Sequence, residues 1–390
     1  MPPVPQELID AIVDEIDDRK ALSPTCLAAR TFVSPCQKRL FRGIHFVGYI
    51  SSSSEYTRRA AELFASSPHL RSHVRTLAMY ELPTAADFPI LAQVLNMFRD
   101  LRIVQLNLTQ VSWGMLSQDL SDALMGLMGC PSLQCLAMRY CTVPAALISF
   151  VHTSVVDLVL HEARVESLSP HSSLLIKQPS NCGKSTLKRL QLGQNVGSET
   201  LGSVSRNITP HLSKLQRLGF DIRSDADVSV LASVLDATED LERLTLCHEP
   251  NVDSAPLDIR KLPSLRVLEL RMLLGGSPKM TLAQVLSIVP RADQIPHVEK
   301  IHILLDSAAV VSVPLSADDP PGLFMGISST KAFTCLTELE FELWFPLDEG
   351  YIADDGRSAL TTYILKFWES VKSARAGMRL SVLDLVGDDD

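Results

Sequence analysis

The sequence predicts an α/β solenoid, with a parallel sheet on one side and helices behind it, preceded by a small all-α N-terminal module. Three observations predict this. A short apolar pattern recurs along the 390 residues at intervals of 22 to 44. Helix-like stretches lie between the copies. The first 50 or so residues lack the pattern and carry amphipathic helical spacing instead.

The clearest copy is Leu187-Lys188-Arg189-Leu190-Gln191-Leu192-Gly193-Gln194-Asn195. It reads L-x-x-L-x-L-x-x-N, the strand-and-turn unit of a leucine-rich repeat. Leu190 and Leu192 point to one side of a strand, while Arg189, Gln191 and Gly193 point to the other. One such unit cannot bury its apolar face alone, so the pattern implies a stack. With Val, Ile, Met or Phe allowed for Leu, it returns at Leu101-Val104-Leu106, Leu133-Leu136-Met138, Val155-Leu158-Leu160, Leu215-Leu218-Phe220, Leu241-Leu244-Leu246 and Leu265-Leu268-Leu270. Weaker copies start at Val74, Val298, Leu336 and Leu380. Only Asn195 and Cys141 meet the Asn or Cys of the ninth position.

Between the strands, helical spacing is expected at Glu55–Ala65, Asp87–Phe98, Pro144–Thr153, Asp227–Ala237 and Thr281–Val289. Ser51-Ser52-Ser53-Ser54 reads as a linker and Ser66-Ser67-Pro68 as a helix stop. Leu305–Thr330, with Asp318-Asp319-Pro320-Pro321-Gly322, reads as a long exposed loop. Arg357–Arg375 reads as a closing amphipathic helix before a solvated Asp388-Asp389-Asp390 tail. The chain therefore divides into residues 1–50, a linker and helix at 51–66, and the repeats at 67–390.

Composition narrows the function. A net charge of −9 argues against a nucleic-acid partner, which calls for a basic surface. No uncharged apolar run is long enough for a membrane span; Ala123–Met138 comes nearest and is broken by Gly126, Gly129 and Pro131. Six acids in the first twenty residues, without an apolar core, argue against a secretory leader. The eight cysteines form no C-x-x-C pair, which suits reduced thiols in cytoplasm or nucleus.

The N-terminal module reads as three short helices. Leu8, Ile12 and Ile16, flanked by Ile9 and Val13, make the apolar stripe of the first, with Pro5 at its start. Ser23-Pro24 is expected to open the second, which carries Leu27 and Ala28, and Cys36–Phe41 forms the third. Val4-Pro5-Gln6-Glu7-Leu8-Ile9-Asp10-Ala11-Ile12, then Leu22, Cys26–Phe32 and Arg39-Leu40-Phe41-Arg42-Gly43-Ile44, resembles an F-box. With the repeats behind it, the chain is similar to the F-box-like proteins with irregular leucine-rich repeats found in mushroom-forming fungi. Val4 stands where that family has Leu, and Phe32 where Trp is common. The resemblance implies that Pro5, Leu8, Ile9, Ile12 and Val13 face a Skp-type adaptor that tethers the chain to a cullin ubiquitin ligase. The repeats would then hold a protein substrate. The alternative is an interaction scaffold outside any ligase, whose helices only cap the open end of the stack.

Chemical motifs are few. Asn181-Cys182-Gly183-Lys184-Ser185-Thr186 ends like a P-loop, but Gln178 stands where the motif needs glycine, and a strand follows where a helix should. His69 and His73 are four apart without the glutamate of H-E-x-x-H. Cys130, Cys135 and Cys141 straddle one strand, with Cys135 on the open face and Cys141 at the core turn, which splits any metal site. No cofactor, no metal and no catalytic group is expected. The surface pattern that stands out is Arg189, Arg217 and Arg243, one per successive repeat and all on the open face. Such a row suits an acidic or phosphorylated partner, with Glu338, Glu340 and Glu342 giving the same face an acidic end. Pairing with Asp221, Glu242 and Glu269 is the competing use of those arginines.

Overall fold

The computed structural model describes residues 4–48, 53–98, 103–144, 154–166, 187–193, 209–248, 261–273, 297–306, 335–345 and 379–386, with positions 365 and 368–369. They form an α/β fold built on parallel strands. The chain divides into two units, one of residues 1–187 with 195–200 and the other of 188–194 with 201–390.

The first unit opens with α1 (Gln6–Asp14), α2 (Arg19–Ala28) and α3 (Arg30–Leu40). Pro5 sits at the N-cap of α1 rather than inside it, and Glu7 meets the positive helix end. The second helix starts four residues before Ser23. The reason is Asp18, whose carboxylate accepts the Lys20 N–H at 2.8 Å and caps the helix there, leaving Pro24 inside. The third starts at Arg30, so the expected Cys36–Phe41 segment is its second half. The helices share a core of Val13, Leu22 and Cys36, with Ile16, Cys26, Phe32 and Leu40 around it. Burial pushes the Cys36 thiol up, and neighbouring Cys26 adds to this. Two guanidinium groups tie the helix ends. Arg39 Nη1 donates to the Val13 carbonyl at 2.7 Å and also to that of Asp14, and Arg19 Nη2 donates to the Leu40 carbonyl at 2.7 Å. These satisfy carbonyls that have no partner within their own helix.

The sheet begins earlier than expected, at β1 (Gly43–Val47), so the helical module ends at Leu40 rather than near residue 50. Ile44 pairs in register with Leu77 and Phe46 with Met79. Phe41-Ile44-Phe46 is therefore a repeat copy hidden inside the N-terminal segment. Next come α4 (Ser53–Ser66), α5 (Pro68–Arg71), β2 (Thr76–Tyr80), α6 (Phe88–Asn96), β3 (Gln105–Thr109), α7 (Gln118–Met128) and β4 (Cys135–Arg139). A short β5 (Thr142–Pro144), β6 (Asp157–His161) and β7 (Arg164–Glu166) complete the described part. Strands β1, β2, β3, β4 and β6 pair in that order, all parallel, while β5 pairs with β7 in a small second sheet.

Register corrects one frame. Leu77, Leu106, Leu136 and Leu158 lie side by side, and Met79, Leu108, Met138 and Leu160 form the next column. The copy expected at Leu101-Val104-Leu106 is thus two residues out; its frame is Ile103-Leu106-Leu108. Both frames place apolar residues at the same spacing, and only pairing with neighbours selects one. The first-position side chains Val74, Ile103, Leu133 and Val155 are all buried.

Each strand ends in a repeated turn. The N–H groups of Gly48, Glu81, Gln110 and Tyr140 donate at 2.8 Å to the carbonyls of Tyr80, Thr109, Arg139 and His161 in the next strand. Glu81, Gln110, Tyr140 and Glu162 take φ of 60°, 57°, 54° and 50°, the left-handed conformation that redirects the chain. At Gly48 a Cβ would stand 2.5 Å from the Leu82 carbonyl oxygen. The ninth position is filled by buried Val111, Cys141 and Ala163, and the Cys141 thiol reaches the carbonyls of Arg139 at 3.1 Å and Leu108 at 3.4 Å. Burial pushes that thiol up from its ordinary value.

The second unit contains β8 (Arg189–Leu192), β9 (Arg217–Ile222), α8 (Asp225–Asp236), β10 (Arg243–His248), β11 (Val267–Leu273), β12 (Lys300–Asp306), β13 (Glu338–Phe345) and β14 (Arg379–Val386). Each strand pairs in parallel with the next. Leu190/Leu192, Leu218/Phe220, Leu244/Leu246, Leu268/Leu270, Ile301/Ile303 and Leu339/Phe341 form the buried face. The Ser224 hydroxyl accepts the Asp227 N–H and Asp227 accepts the Arg223 N–H, which fixes the start of α8 two residues before the expected Asp227. Leu380 pairs with Leu339, so it holds the fourth position of its repeat, not the first.

The expected elements at Pro144–Thr153, Leu305–Thr330 and Arg357–Arg375 lie outside the described residues, apart from Pro144 in β5, Leu305 and Asp306 in β12, and helical positions 365 and 368–369. Those at Asn181–Thr186, Thr281–Val289 and Asp388–Asp390 lie wholly outside. Among the described residues, no helix is long and apolar enough to cross a membrane.

Two substitutions test the stack. Leu136→Ala removes a fully buried column member and should cost about 2–5 kcal/mol in urea unfolding. Gly48→Ala should cost about 1–3 kcal/mol, because the obstacle is backbone rather than a movable side chain.

Candidate functional site

Two surfaces carry the residues singled out in the sequence. The first is α1, whose five expected contact residues divide. Ile9 and Val13 are 4 % and 0 % exposed and turn into the protein, Val13 into the core shared with α2 and α3. Leu8 and Ile12 are 56 % and 54 % exposed, and Val4 just before the helix is 58 % exposed. Pro5 is exposed at the N-cap. The division follows from helix geometry: each residue turns about 100°, so Ile9 and Val13 sit one step round from Leu8 and Ile12. The expected stripe therefore becomes an inner pair, Ile9 and Val13, and an outer pair, Leu8 and Ile12, with exposed Val4 and Pro5 at its N-terminal end. Leu27, in the last turn of α2, is 87 % exposed and lies outside the five residues that the resemblance implies as contacts. Its signal is indirect: Leu22 is the one apolar residue that α2 buries.

The second surface is the open face of the second unit. Arg189 pairs in register with Arg217, and Arg217 with Arg243. Adjacent strands stand about 4.8 Å apart, so the three guanidinium stems rise as one row. Neighbouring like charges at that spacing repel by about 1 kcal/mol in water. Arg243 is partly offset: its Nε lies 3.6 Å from Glu269 Oε1, while Thr245 Oγ1 donates to Glu269 Oε2 at 2.7 Å. Beside the row runs an uncharged column of Gln191, Gly219 and Thr245. A Cβ on Gly219 would stand 3.3 Å from Gln191 Cγ, so the glycine leaves room for that side chain.

The acidic end is only partly offset in place, one lysine facing two of its three glutamates. Lys300 of β12 lies 2.6 Å from Glu340 and 3.3 Å from Glu338, and His302 Nε2 lies 3.1 Å from Glu342 Oε2, out of line for a hydrogen bond. Sequence reading placed the glutamates on this face but not their partners, because Lys300 is 38 residues from Glu338 and meets it only through strand pairing. The hydrogen bond from Lys300 holds the Glu340 carboxyl below its ordinary value, and the same bond holds Lys300 above its own.

Other expected groups do not converge. Cys135 is half-buried on the strand while Cys130 and Cys141 are buried. His69 lies in α5, which ends at Arg71, so His73 falls in the following turn and the two share no helix face.

The Lys300 pair generates a pH prediction. Glu340 is depressed when folded, so its contribution is present above the ordinary carboxylate value of 4.5 and is lost as pH falls through the folded value. In thermal unfolding, Lys300→Met should lower Tm at neutral pH, and its deficit relative to wild type should shrink as pH drops below 4.5.

The chain matches no family model and no curated protein, so these surfaces are read from residues and geometry alone.

Proposed function

We propose that the chain is a leucine-rich-repeat protein with an F-box-like N-terminal module, acting as the substrate-recognition subunit of a Skp-cullin-F-box type ubiquitin ligase in cytoplasm or nucleus. The observation that carries this reading is the exposed pair Leu8 and Ile12 on a helix whose other side is already buried, with exposed Val4 just before that helix. An apolar row kept in water by a folded helix suits a docking partner, and in F-box-like chains that partner is a Skp-type adaptor. The open face of the repeats binds a protein substrate, acidic or phosphorylated, through Arg189, Arg217 and Arg243. The chain itself is non-catalytic and needs no cofactor; it acts through proximity, holding the substrate near a partner's reactive group.

The scaffold reading is favoured by one observation. Helix α3 runs into β1, the first strand of the sheet, which places the three helices where a stack needs a cap. A capture experiment decides. A Skp-type adaptor should retain the wild-type chain, and Leu8→Asp or Ile12→Asp should lower retention at least tenfold while shifting stability by no more than about 0.5 kcal/mol. Val13→Asp should instead unfold the helical module, since it buries a charge. Failure of the wild-type chain to bind would leave the scaffold reading.

A further inference from the structure

We propose that the Arg189–Arg217–Arg243 row receives a helix of the partner protein whose acidic residues recur at i, i+3 or i+4, and i+7, laid across the strands. This rests on the reading of the open face as the substrate surface and specifies the shape of what it takes. Spacing selects the helix. Three successive strands set the first and third arginine stems about 9.6 Å apart. An α-helix rises about 10.5 Å from i to i+7, and its side chains at i and i+3 or i+4 stand about 5–6 Å apart. An extended segment places three residues of one side over about 13 Å, which overshoots the row. The arginine row therefore matches an acidic stripe on a helix, one carboxylate to each guanidinium.

The surroundings agree with this. Outward positions of β8 to β11 hold four arginines, Arg189, Arg217, Arg243 and Arg271, against two carboxylates, Asp221 and Glu269, in a chain whose net charge is −9. The neighbouring column of Gln191, Gly219 and Thr245 adds no charge, and Gly219 lowers the floor beside Arg217. Arg243 is already positioned by Glu269, so less side-chain freedom is lost when a carboxylate arrives. Glu338, Glu340 and Glu342 on β13 repel an acidic stripe that slides the wrong way, which fixes its placement over β8 to β10.

The test uses the full chain and two fluorescein-labelled peptides of identical composition in an alanine-rich host. One carries glutamate at i, i+3 and i+7, the other at i, i+2 and i+4. Fluorescence anisotropy should show the heptad-spaced peptide binding at least tenfold tighter, with affinity falling as salt rises. Arg217→Glu should abolish that binding, and Arg217→Lys should keep part of it, because lysine retains the charge without the planar fork. Equal binding of the two peptides, no binding of either, unchanged binding by Arg217→Glu, or binding only when phosphoserine replaces glutamate would each overturn the proposal. Adaptor capture is measured on the same variants. For the wild-type chain, absence of peptide binding with capture intact refutes this inference alone, and failed capture with peptide binding intact refutes only the ligase reading.

Discussion

The parallel ladder of backbone hydrogen bonds, held in one register from strand to strand, is the constraint on which the rest depends. Because side chains alternate, a slip of one residue would put every buried leucine in water and every arginine in the core. The apolar columns exist to prevent that: Leu190, Leu218, Leu244, Leu268, Ile301 and Leu339 stand side by side on β8 to β13, and none is more than 1 % exposed. Once the inward positions are fixed, the outward ones are free to carry charge without cost to the core. The arginine row is a consequence of this separation. Residues 26 to 28 apart in sequence meet because register, not proximity along the chain, decides their neighbours.

The same separation explains what the sequence reveals and what it hides. Alternation is local, so strands such as Leu215–Phe220 and Leu241–Leu246 can be read directly. Frame is not local. Leu101-Val104-Leu106 and Ile103-Leu106-Leu108 satisfy the same spacing, and β2 and β4 choose between them. Phe41-Ile44-Phe46 is hidden because its neighbours in sequence are helical, and a strand of Gly-Ile-His-Phe-Val gains its meaning only beside Thr76–Tyr80. The start of α2 is hidden for a different reason. Ser23-Pro24 and Asp18 are both sound opening signals, and the carboxylate of Asp18 prevails by bonding the Lys20 N–H. The partners of the acidic glutamates were beyond reach for the reason given by register: Lys300 and His302 are neighbours only across a strand pair.

The turn at the end of each strand shows how the repeat departs from its consensus without losing its geometry. The usual asparagine uses its side-chain amide to bond the turn backbone, yet Val111 and Ala163 have no such group and are buried all the same. The turn is held from its other side. The residue before the ninth position donates its N–H to the next strand and takes a left-handed conformation in three successive repeats, at Glu81, Gln110 and Tyr140. A left-handed glutamate, glutamine or tyrosine carries a local energetic cost, and it persists because the ladder on both sides over-determines it. Cys141 is the intermediate case, with a thiol that reaches the carbonyls of Leu108 and Arg139 and so ties one repeat to the next.

The three N-terminal helices raise the converse problem, since three short helices bury little surface of their own. Their core of Val13, Leu22 and Cys36 is small, and two of its reinforcements are polar: Arg39 on the end of α1 and Arg19 on the end of α3. A third comes from the chain itself, which passes from Leu40 into β1 while Phe41 packs edge-on against Phe64, and Phe64 against Phe98. A module anchored this way can be both a cap and a hook, because the two roles use different residues. Capping depends on the continuity of α3 with β1 and on the aromatic chain behind it. The proposed docking would use Val4, Leu8 and Ile12, which make no part of that core and stay more than half exposed. The burial of Ile9 and Val13 on the same helix sets them apart from Leu8 and Ile12, so the core that capping needs is complete without the exposed residues that the proposed docking would use.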